Sequence, residues 1–446
     1  MINQLKKLTK SSLIAAVILF STSITFAQNQ KDSVHIDLKK AIEIGLSESP
    51  SMRIADRDIQ IKQQYKKEQI VSLFPDVSLS GSYQYTILKQ SMAMSMGGQD
   101  MNIKVGKDHN YSVGASLSLP LIVPSLWSSL KLSQMDIELA MENARSSKLE
   151  LINQIKQAYY TYLVAQQAYD VLQQSYANTQ ASNELVNKQY QQGLVSSFEK
   201  LRSDVSLQNL RPDVTSAAKT ANLAYMRLKI ILGLDINEPV IFDGHLDDYE
   251  NEVLNAKVPT LNDINLEENS SLKQLDMGIQ QLQQSKKIIK GSSCPSLALS
   301  GSLMYNGMGD TGGSFNNFPY SVIGLGLSVP IVSWAGTSYK LKQADLNIEN
   351  MQDQRVDIER NLRLGAQSYL NDMQQAIENL ASDKETMLQA EEAYNIAKKQ
   401  YEVGMNTWLD LNTTELMLTS TRLTYCQSLF NYLTAKASLD ALVGQN

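Results

Sequence analysis

The chain has 446 residues, 43% hydrophobic and 19% charged, enough apolar mass for a large core and too much for a disordered polymer. Forty Lys and Arg against 46 Asp and Glu give a formal charge of −6, which offers no basic footprint to a phosphate backbone and argues against nucleic acid as a partner. Two cysteines, Cys294 and Cys426, and three scattered histidines, His35, His109 and His245, exclude a disulfide framework and a four-thiolate zinc site. No cofactor, metal centre or catalytic residue is expected.

The first 27 residues read as a cleaved secretory signal. Lys6, Lys7 and Lys10 precede an apolar stretch at 13–20, and a small polar run ends in Thr25-Phe26-Ala27 before Gln28. A membrane anchor is the weaker alternative, because the apolar stretch is far short of the roughly 20 residues a helix needs to span. No cysteine stands at the cleavage point, so no lipoprotein anchor is expected, and removal of 1–27 leaves a charge of −9.

Beyond the signal the chain is mostly amphipathic helix rich in Gln, Ala, Leu and Lys, interrupted by four segments of period-2 alternation. In 76–87, Val77, Leu79, Gly81, Tyr83, Tyr85 and Ile87 alternate with Asp, Ser, Gln and Thr. In 111–119, Tyr111, Val113, Ala115, Leu117 and Leu119 alternate with Ser and Gly. The pattern recurs at about 296–305 and 321–329, and each segment is near the roughly 9 to 11 residues of a tilted transmembrane strand. Between the first two strands, Met92, Met94, Met96 and Met101 lie in a loop expected outside the cell, either an accommodating apolar loop or a set of thioethers suited to Cu(I).

Each hairpin is followed by a long helix with a heptad seam. Leu151, Ile155, Ala158, Tyr162, Ala165, Tyr169, Leu172 and Tyr176 are spaced four and three apart; the second copy runs from Leu362 through Ala366, Tyr369, Met373, Ala376 and Leu380, misses at Asp383, and resumes from Met387 to Tyr401. Roughly 65 helical residues at about 1.5 Å each give a rod of about 100 Å, longer than a globular domain needs, although an ordinary bundle core would show the same seam. The two halves are an internal duplication: Leu79-Ser80-Gly81-Ser82 returns as Leu299-Ser300-Gly301-Ser302, and Lys188-Gln189-Tyr190 with Gly193 returns as Lys399-Gln400-Tyr401 with Gly404. The division expected is therefore signal 1–27, first repeat 28–232, acidic inter-repeat linker 233–260 and second repeat 261–446. The linker, with Asp243, Asp247, Asp248, Glu250 and Glu252, reads as a surface segment that could belong to a belt around the rods. Pro212 is expected to kink or break its helix.

Four strands cannot close a barrel, and an open edge is intolerable in lipid, so several copies must share one. Two copies would give eight strands filled by side chains; three would give twelve around a lumen, which suits the Ser and Gly faces better, and an obligate homotrimer is expected. The fold class expected is mainly α with a membrane β-barrel.

Leu38-Lys39-Lys40-Ala41-Ile42, the duplicated hairpins, and Tyr190-Gln191-Gln192-Gly193 with Tyr401-Glu402-Val403-Gly404 make the mature chain resemble the TolC-type outer membrane efflux family. The resemblance implies a trimer with a twelve-stranded barrel in outer-membrane lipid above an α-helical periplasmic tunnel. It implies an exit duct for a tripartite efflux or type I secretion system, docked through a periplasmic adaptor (membrane fusion) protein to an inner-membrane pump. It also places each Tyr-x-x-Gly turn at the periplasmic tip, with Gly193 and Gly404 at the adaptor-docking turns and Glu199 and Asp410 as acids constricting the pore near Tyr190 and Tyr401. Asn406 stands where an arginine can lock the closed tip in the family, and Thr413 where a second aspartate can lie. Without the resemblance, Glu199 and Asp410 read as solvated first-turn acids at helix N-termini. A structural coiled-coil spacer or adhesin is the alternative for the whole chain. An enzyme would need convergent catalytic groups, and no Ser/His/Asp, HExxH or phosphate-loop pattern supplies them. Cys294 at the membrane end and Cys426 on a rod are expected to stay free thiols.

Overall fold

The computed structural model describes residues 34–96, 99–331 and 334–444; the expected signal peptide lies outside them. The alternating segments form strands β2 (Asp76–Tyr85), β5 (His109–Ile122), β7 (Ser296–Thr311) and β8 (Ser314–Ser328), all longer than or equal to a membrane strand. They make one antiparallel sheet in the order β2-β5-β7-β8. Register carries the alternation across the whole sheet: Leu79 pairs with Ala115, Ala115 with Leu303, and Leu297 with Leu327. One face is therefore largely apolar, interrupted at Ser321 opposite Leu303, and Val77, Leu79, Leu303, Ile323, Leu325 and Leu327 stand more than 60% exposed on it. On the other face Ser78 and Ser116 share a hydrogen bond of 2.7 Å, and Ser116 pairs with Ser302. Both outer edges, β2 and β8, have no partner strand among the described residues.

Chain directions separate the two ends of this sheet. Helices α1 (Leu38–Glu48) and α2 (Pro50–Val71) lead into the start of β2, and α3 (Pro124–Gln191, 68 residues) leaves the end of β5. The second repeat does the same with α6 (Ser270–Gly291) before β7 and α7 (Trp334–Glu402, 69 residues) after β8. At about 1.5 Å per residue each long helix extends about 100 Å from the sheet. Each ends in a turn and returns as a 36-residue helix, α4 (Ser197–Leu232) or α8 (Trp408–Val443). In the half near the sheet α3 packs on α2 and α6, and α6 on α7; in the far half α3 packs on α4 and α8, and α8 on α7. The loop between β2 and β5 therefore lies at the end of the sheet remote from all the rods. It is a hairpin of its own, β3 (Gln90–Met96) with β4 (Gln99–Val105), where the sequence pattern had indicated only a loop.

The seams are the core. Ile155 and Leu163 on α3, Ala366, Met373, Ala376 and Leu380 on α7, and Leu429, Tyr432 and Leu433 on α8 are buried together. Asp383, where the seam misses an apolar residue, instead accepts a hydrogen bond of 2.6 Å from Ser428 Oγ, which removes the cost of a bare polar group. Pro212 does not break α4, which runs continuously through it. Pro212 and Gln208 are exposed, so the carbonyl that loses its amide partner faces water.

The acidic segment 233–260 is docked on the rods, as a belt segment would be. It holds β6 (Val240–Phe242), which pairs in parallel with β1 (Val34–Ile36), a 3-10 turn and the short helix α5 (Glu250–Leu254), with Leu246 and Val253 fully buried. Its acids reach across to the rods. Glu250 accepts from Lys384 and, at 2.7 Å, from Tyr425; the Lys384 ammonium first and the Tyr425 hydroxyl second hold its carboxyl below the usual range. Glu252 pairs with Lys436 at 2.5 Å, and Asp247 accepts from Gln167 at 3.0 Å. Cys294 is exposed and Cys426 buried, and neither is bridged; burial pushes the Cys426 thiol up to about 12.

Duplication extends to backbone detail. Gly233 and Gly444 end α4 and α8 with φ of 79° and 81°, and a Cβ at either would stand 2.8 Å or 2.7 Å from the carbonyl oxygen of Glu48 or Glu268. Left-handed backbone and close approach both demand glycine there. Gly233→Ala and Gly444→Ala are each expected to cost about 1–3 kcal/mol, read as a lower unfolding temperature of the detergent-solubilised protein. An unchanged transition would show that these helix ends do not press on the backbone at Glu48 and Glu268.

Candidate gate at the helix tips

The two far ends of the rods have the same construction. Gly193 and Gly404 carry φ of 74° and 77°. In the first tip Gly193 N–H donates to the Tyr190 carbonyl at 3.0 Å and Leu194 N–H to that of Gln189 at 2.9 Å; in the second, Gly404 N–H donates to Tyr401 and Met405 N–H to Gln400 at 3.0 and 2.8 Å. This pairing closes the orphan carbonyls of a helix C-terminus, and its left-handed residue explains the glycine in each Tyr-x-x-Gly. Three residues on, Ser196 Oγ accepts from Glu199 N–H at 3.3 Å and Thr407 Oγ1 from Asp410 N–H at 3.2 Å. Each acid thus sits in the first turn of a returning helix, where the helix dipole favours negative charge.

The two tips differ in packing. Tyr401 is 5% exposed, within a cluster formed by Val186, Ala390, Tyr394, Ala397, Trp408 and Leu411, and its hydroxyl donates to Gln189 Oε1 at 2.9 Å. Burial pushes Tyr401 up to about 12, and the negative charge of Glu199 adds to the shift, which brings these two expected site residues into one electrostatic neighbourhood. Tyr190 is 42% exposed, with the Lys200 ammonium 5.6 Å above its ring. Asp410 is exposed and accepts from Thr407 Oγ1 at 2.5 Å. Asn406 and Thr413 turn to their own backbone: Asn406 Oδ1 accepts from Thr407 N–H at 2.9 Å, and Thr413 Oγ1 donates to the Leu409 carbonyl at 2.7 Å. The tips are joined by Arg202 of α4 over the Trp408 ring at 5.8 Å and by Ser206 Oγ donating to Asn412 Oδ1 at 2.7 Å. Leu194, Phe198, Val403 and Met405 project from the turns more than 60% exposed.

A second acid level lies five residues beyond the first, and sequence reasoning missed it. Asp204 accepts from Asn183 Nδ2 at 2.8 Å, and its counterpart Glu415 accepts from Asn178 Nδ2 at 3.2 Å. Glu415 is 4% exposed between α3, α7 and α8, beside Ser175 and Tyr394, with Arg422 one heptad further along the seam. Burial raises its carboxyl above the ordinary value, partly offset by those hydrogen bonds and by the Arg422 charge. A signal existed: Leu411, Glu415, Leu418, Arg422, Tyr425, Leu429 and Tyr432 keep a four-three spacing, so a charged pair occupies positions of a seam.

A family model described as outer membrane efflux protein matches residues 41–234 and 261–445, leaving out most of the belt. No curated protein matches the sequence. Among solved structures, the CmeC outer membrane channel of Campylobacter jejuni superposes with a TM-score of 0.72 at 16% identity, over 91% of this chain and 85% of that one. The open state of the MtrE outer membrane channel of Neisseria gonorrhoeae gives 0.71 at 18%, over 92% and 89%. The outer membrane protein VceC of Vibrio cholerae gives 0.68 at 14%, over 92% and 96%. At these identities the likeness is one of fold.

Glu415 makes the site's pH dependence testable. Its folded-state value is raised from 4.5, so the native state holds the proton more tightly than the unfolded chain, and stability falls as pH rises from about 4.5 through the raised value. Glu415→Gln, which keeps an acceptor for Asn178, is expected to raise the unfolding temperature at neutral pH and to flatten the profile above pH of about 4.5. A variant less stable than the parent at neutral pH and equal to it at pH of about 4 would show that the ionised carboxylate is favoured here.

Proposed function

The chain belongs to the outer membrane efflux protein family, and from that premise we propose that it is the exit duct of a tripartite efflux or type I secretion system. In this reading it takes substrates from an inner-membrane pump and a periplasmic adaptor and releases them outside the cell. The observation that carries the proposal is the union of a four-stranded sheet, apolar on one face and open at both edges, with helices of 68 and 69 residues leaving the same end. Lipid satisfies the naked apolar face, and nothing in lipid satisfies free backbone donors and acceptors at β2 and β8. Three copies joined edge to edge close a twelve-stranded barrel whose Ser and Gly face lines a wet lumen, and the rods continue that lumen across the periplasm.

Glu199 and Asp410 then contribute six carboxylates to the narrow periplasmic end, a charge ring that favours cations. Tyr190, Tyr401, Asn406 and Thr413 belong to the same constriction. Closure rests on packing of the seams around Tyr401 and Trp408. Opening follows when an adaptor binds the splayed tips better than the closed ones, because only differential affinity moves such an equilibrium. The exposed Leu194, Phe198, Val403 and Met405 around Gly193 and Gly404 give the adaptor apolar docking points. Asn406 supplies no charge for a lock, so the resting state is held by packing and neutral hydrogen bonds. The role is conduction, with no bond made or broken by the protein.

Reconstitution in planar bilayers tests this directly. The protein is expected to conduct ions with a preference for cations, and Glu199→Gln with Asp410→Asn to lower that preference and the block by multivalent cations while assembly is unchanged. No conductance from correctly assembled protein would favour a structural spacer. Unaltered selectivity and block in the double variant would place these acids outside the lumen.

A further inference from the structure

A groove of about 850 Å³ lies beside the belt, walled by α3 on one side and by α7 and α8 on the other. That volume is in the range of sites for small organic molecules. Its apolar wall comes from four elements: Tyr162 and Leu163 of α3, Phe242 of β6, Met387 of α7, and Tyr425 and Cys426 of α8. Phe242, Tyr425 and Cys426 are buried, and the Tyr162 and Phe242 rings meet edge to face with centroids 5.5 Å apart. This wall is therefore packed core, fixed before any ligand arrives.

The polar lining is out of balance. Its arginine, Arg422, is taken up by Glu391 at 3.3 Å, while Glu250 is matched by Lys384 and Asp243 by His35 at 2.7 Å. Asp170 and Asp247 remain, exposed at the rim, with no cationic partner among the described residues. Asp170 accepts from Gln166 at 3.2 Å and Asp247 from Gln167 at 3.0 Å, both neutral donors. Gln167 Nε2 reaches both Asp247 oxygens, which fixes the sense of the amide, since the reverse would set its oxygen against the carboxylate. Gln167 Oε1 is therefore left buried with no donor among the described residues. Buried acceptors are nearly always paired, so this one marks a place where a donor is wanted. After burial, the Asp247 charge is the next cause of the raised Cys426 value, so its field is felt at the apolar wall.

We propose that this groove binds a small organic cation carrying N–H donors on a flat aromatic body, such as an arylamidinium, with its charged end at Asp170 and Asp247 and its body against Tyr162 and Phe242. The two carboxylates have free lone pairs for such donors, and charge-assisted hydrogen bonds are the strong ones. A turn about the Gln167 side-chain torsions brings Oε1 to a further donor. The aromatic wall favours the cation again, because ring faces are negative. A neutral molecule of the same shape loses the charge term, and an anion meets only repulsion at the rim. The proposal stands on the groove and does not rest on the duct reading.

The test titrates the full chain in nonionic detergent with benzamidine, benzamide and benzoate, three planar molecules of one shape and charges +1, 0 and −1, read by saturation-transfer NMR against protein-free micelles. Saturable binding of benzamidine is expected, with the other two weaker by about tenfold or more. Asp170→Asn/Asp247→Asn keeps an acceptor for Gln167 and should weaken benzamidine about tenfold with assembly unchanged. If that pair fails to assemble, Asp170→Asn alone, which alters one exposed carboxylate, should still weaken it about threefold. The acids at the tips are the rival site, and Glu199→Gln/Asp410→Asn separates the two: binding should persist there. No saturable binding by the parent, equal binding of benzamide, or unaltered affinity in the Asp170 and Asp247 variants would overturn the proposal. Loss of binding in the tip variant would overturn it as well, by moving the cation to the tips.

Discussion

The backbone amides and carbonyls along β2 and β8 set the terms for the rest of the molecule. A sheet whose apolar face belongs in lipid cannot leave two edges unpaired there, since each bare polar group costs several kcal/mol in hydrocarbon. The protomer contains no further strand of membrane length among the described residues with which to cover them. On the duct reading proposed above, its sheet is one part of a larger closed object, and the rods hung from one end of that sheet are walls of the same object. Their one-sided burial follows: seam residues meet within the protomer, while Leu201, Leu223, Leu364 and Leu388 remain more than half exposed for neighbours or partners.

Rods of this length need bracing between their ends. The belt supplies it halfway along, where Lys384 and Lys436 on the second repeat meet Glu250 and Glu252 of the inter-repeat segment, and Tyr159 of the first repeat donates to the Asp243 carbonyl. Between this middle and the apolar cluster around Tyr401 and Trp408 at the tips, buried polar seam positions intervene at Ser175, Thr179, Asn183 and Glu415.

Much of this architecture was legible in the amino-acid sequence, for identifiable reasons. Period-2 alternation located the four membrane strands because one face must be apolar and the other small and polar, and the glycines at 193 and 404 marked turns that only a left-handed residue closes. The seam of the second long helix is legible from Leu362 to Tyr401, and even its miss at Asp383 has a partner in Ser428. What escaped was what depends on distant partners. Glu250 and Glu252 look solvated until the fold brings up lysines 134 and 184 residues away. The β3/β4 hairpin reads as a loop in the sequence because methionine carries a weak strand preference. Pro212 reads as a helix break, yet its effect depends on whether the freed carbonyl meets water, and Glu415 reads as one more helix acid although its spacing puts it inside a seam.

The central claim is that the sheet is completed by strands from other copies of the chain, and the number of copies is its most direct measure. Native mass spectrometry of the full chain in mild detergent should give a particle of three protomers that persists on dilution. A stable monomer or dimer with intact strands would contradict the account, because the edges of β2 and β8 would then have to be satisfied in some other way.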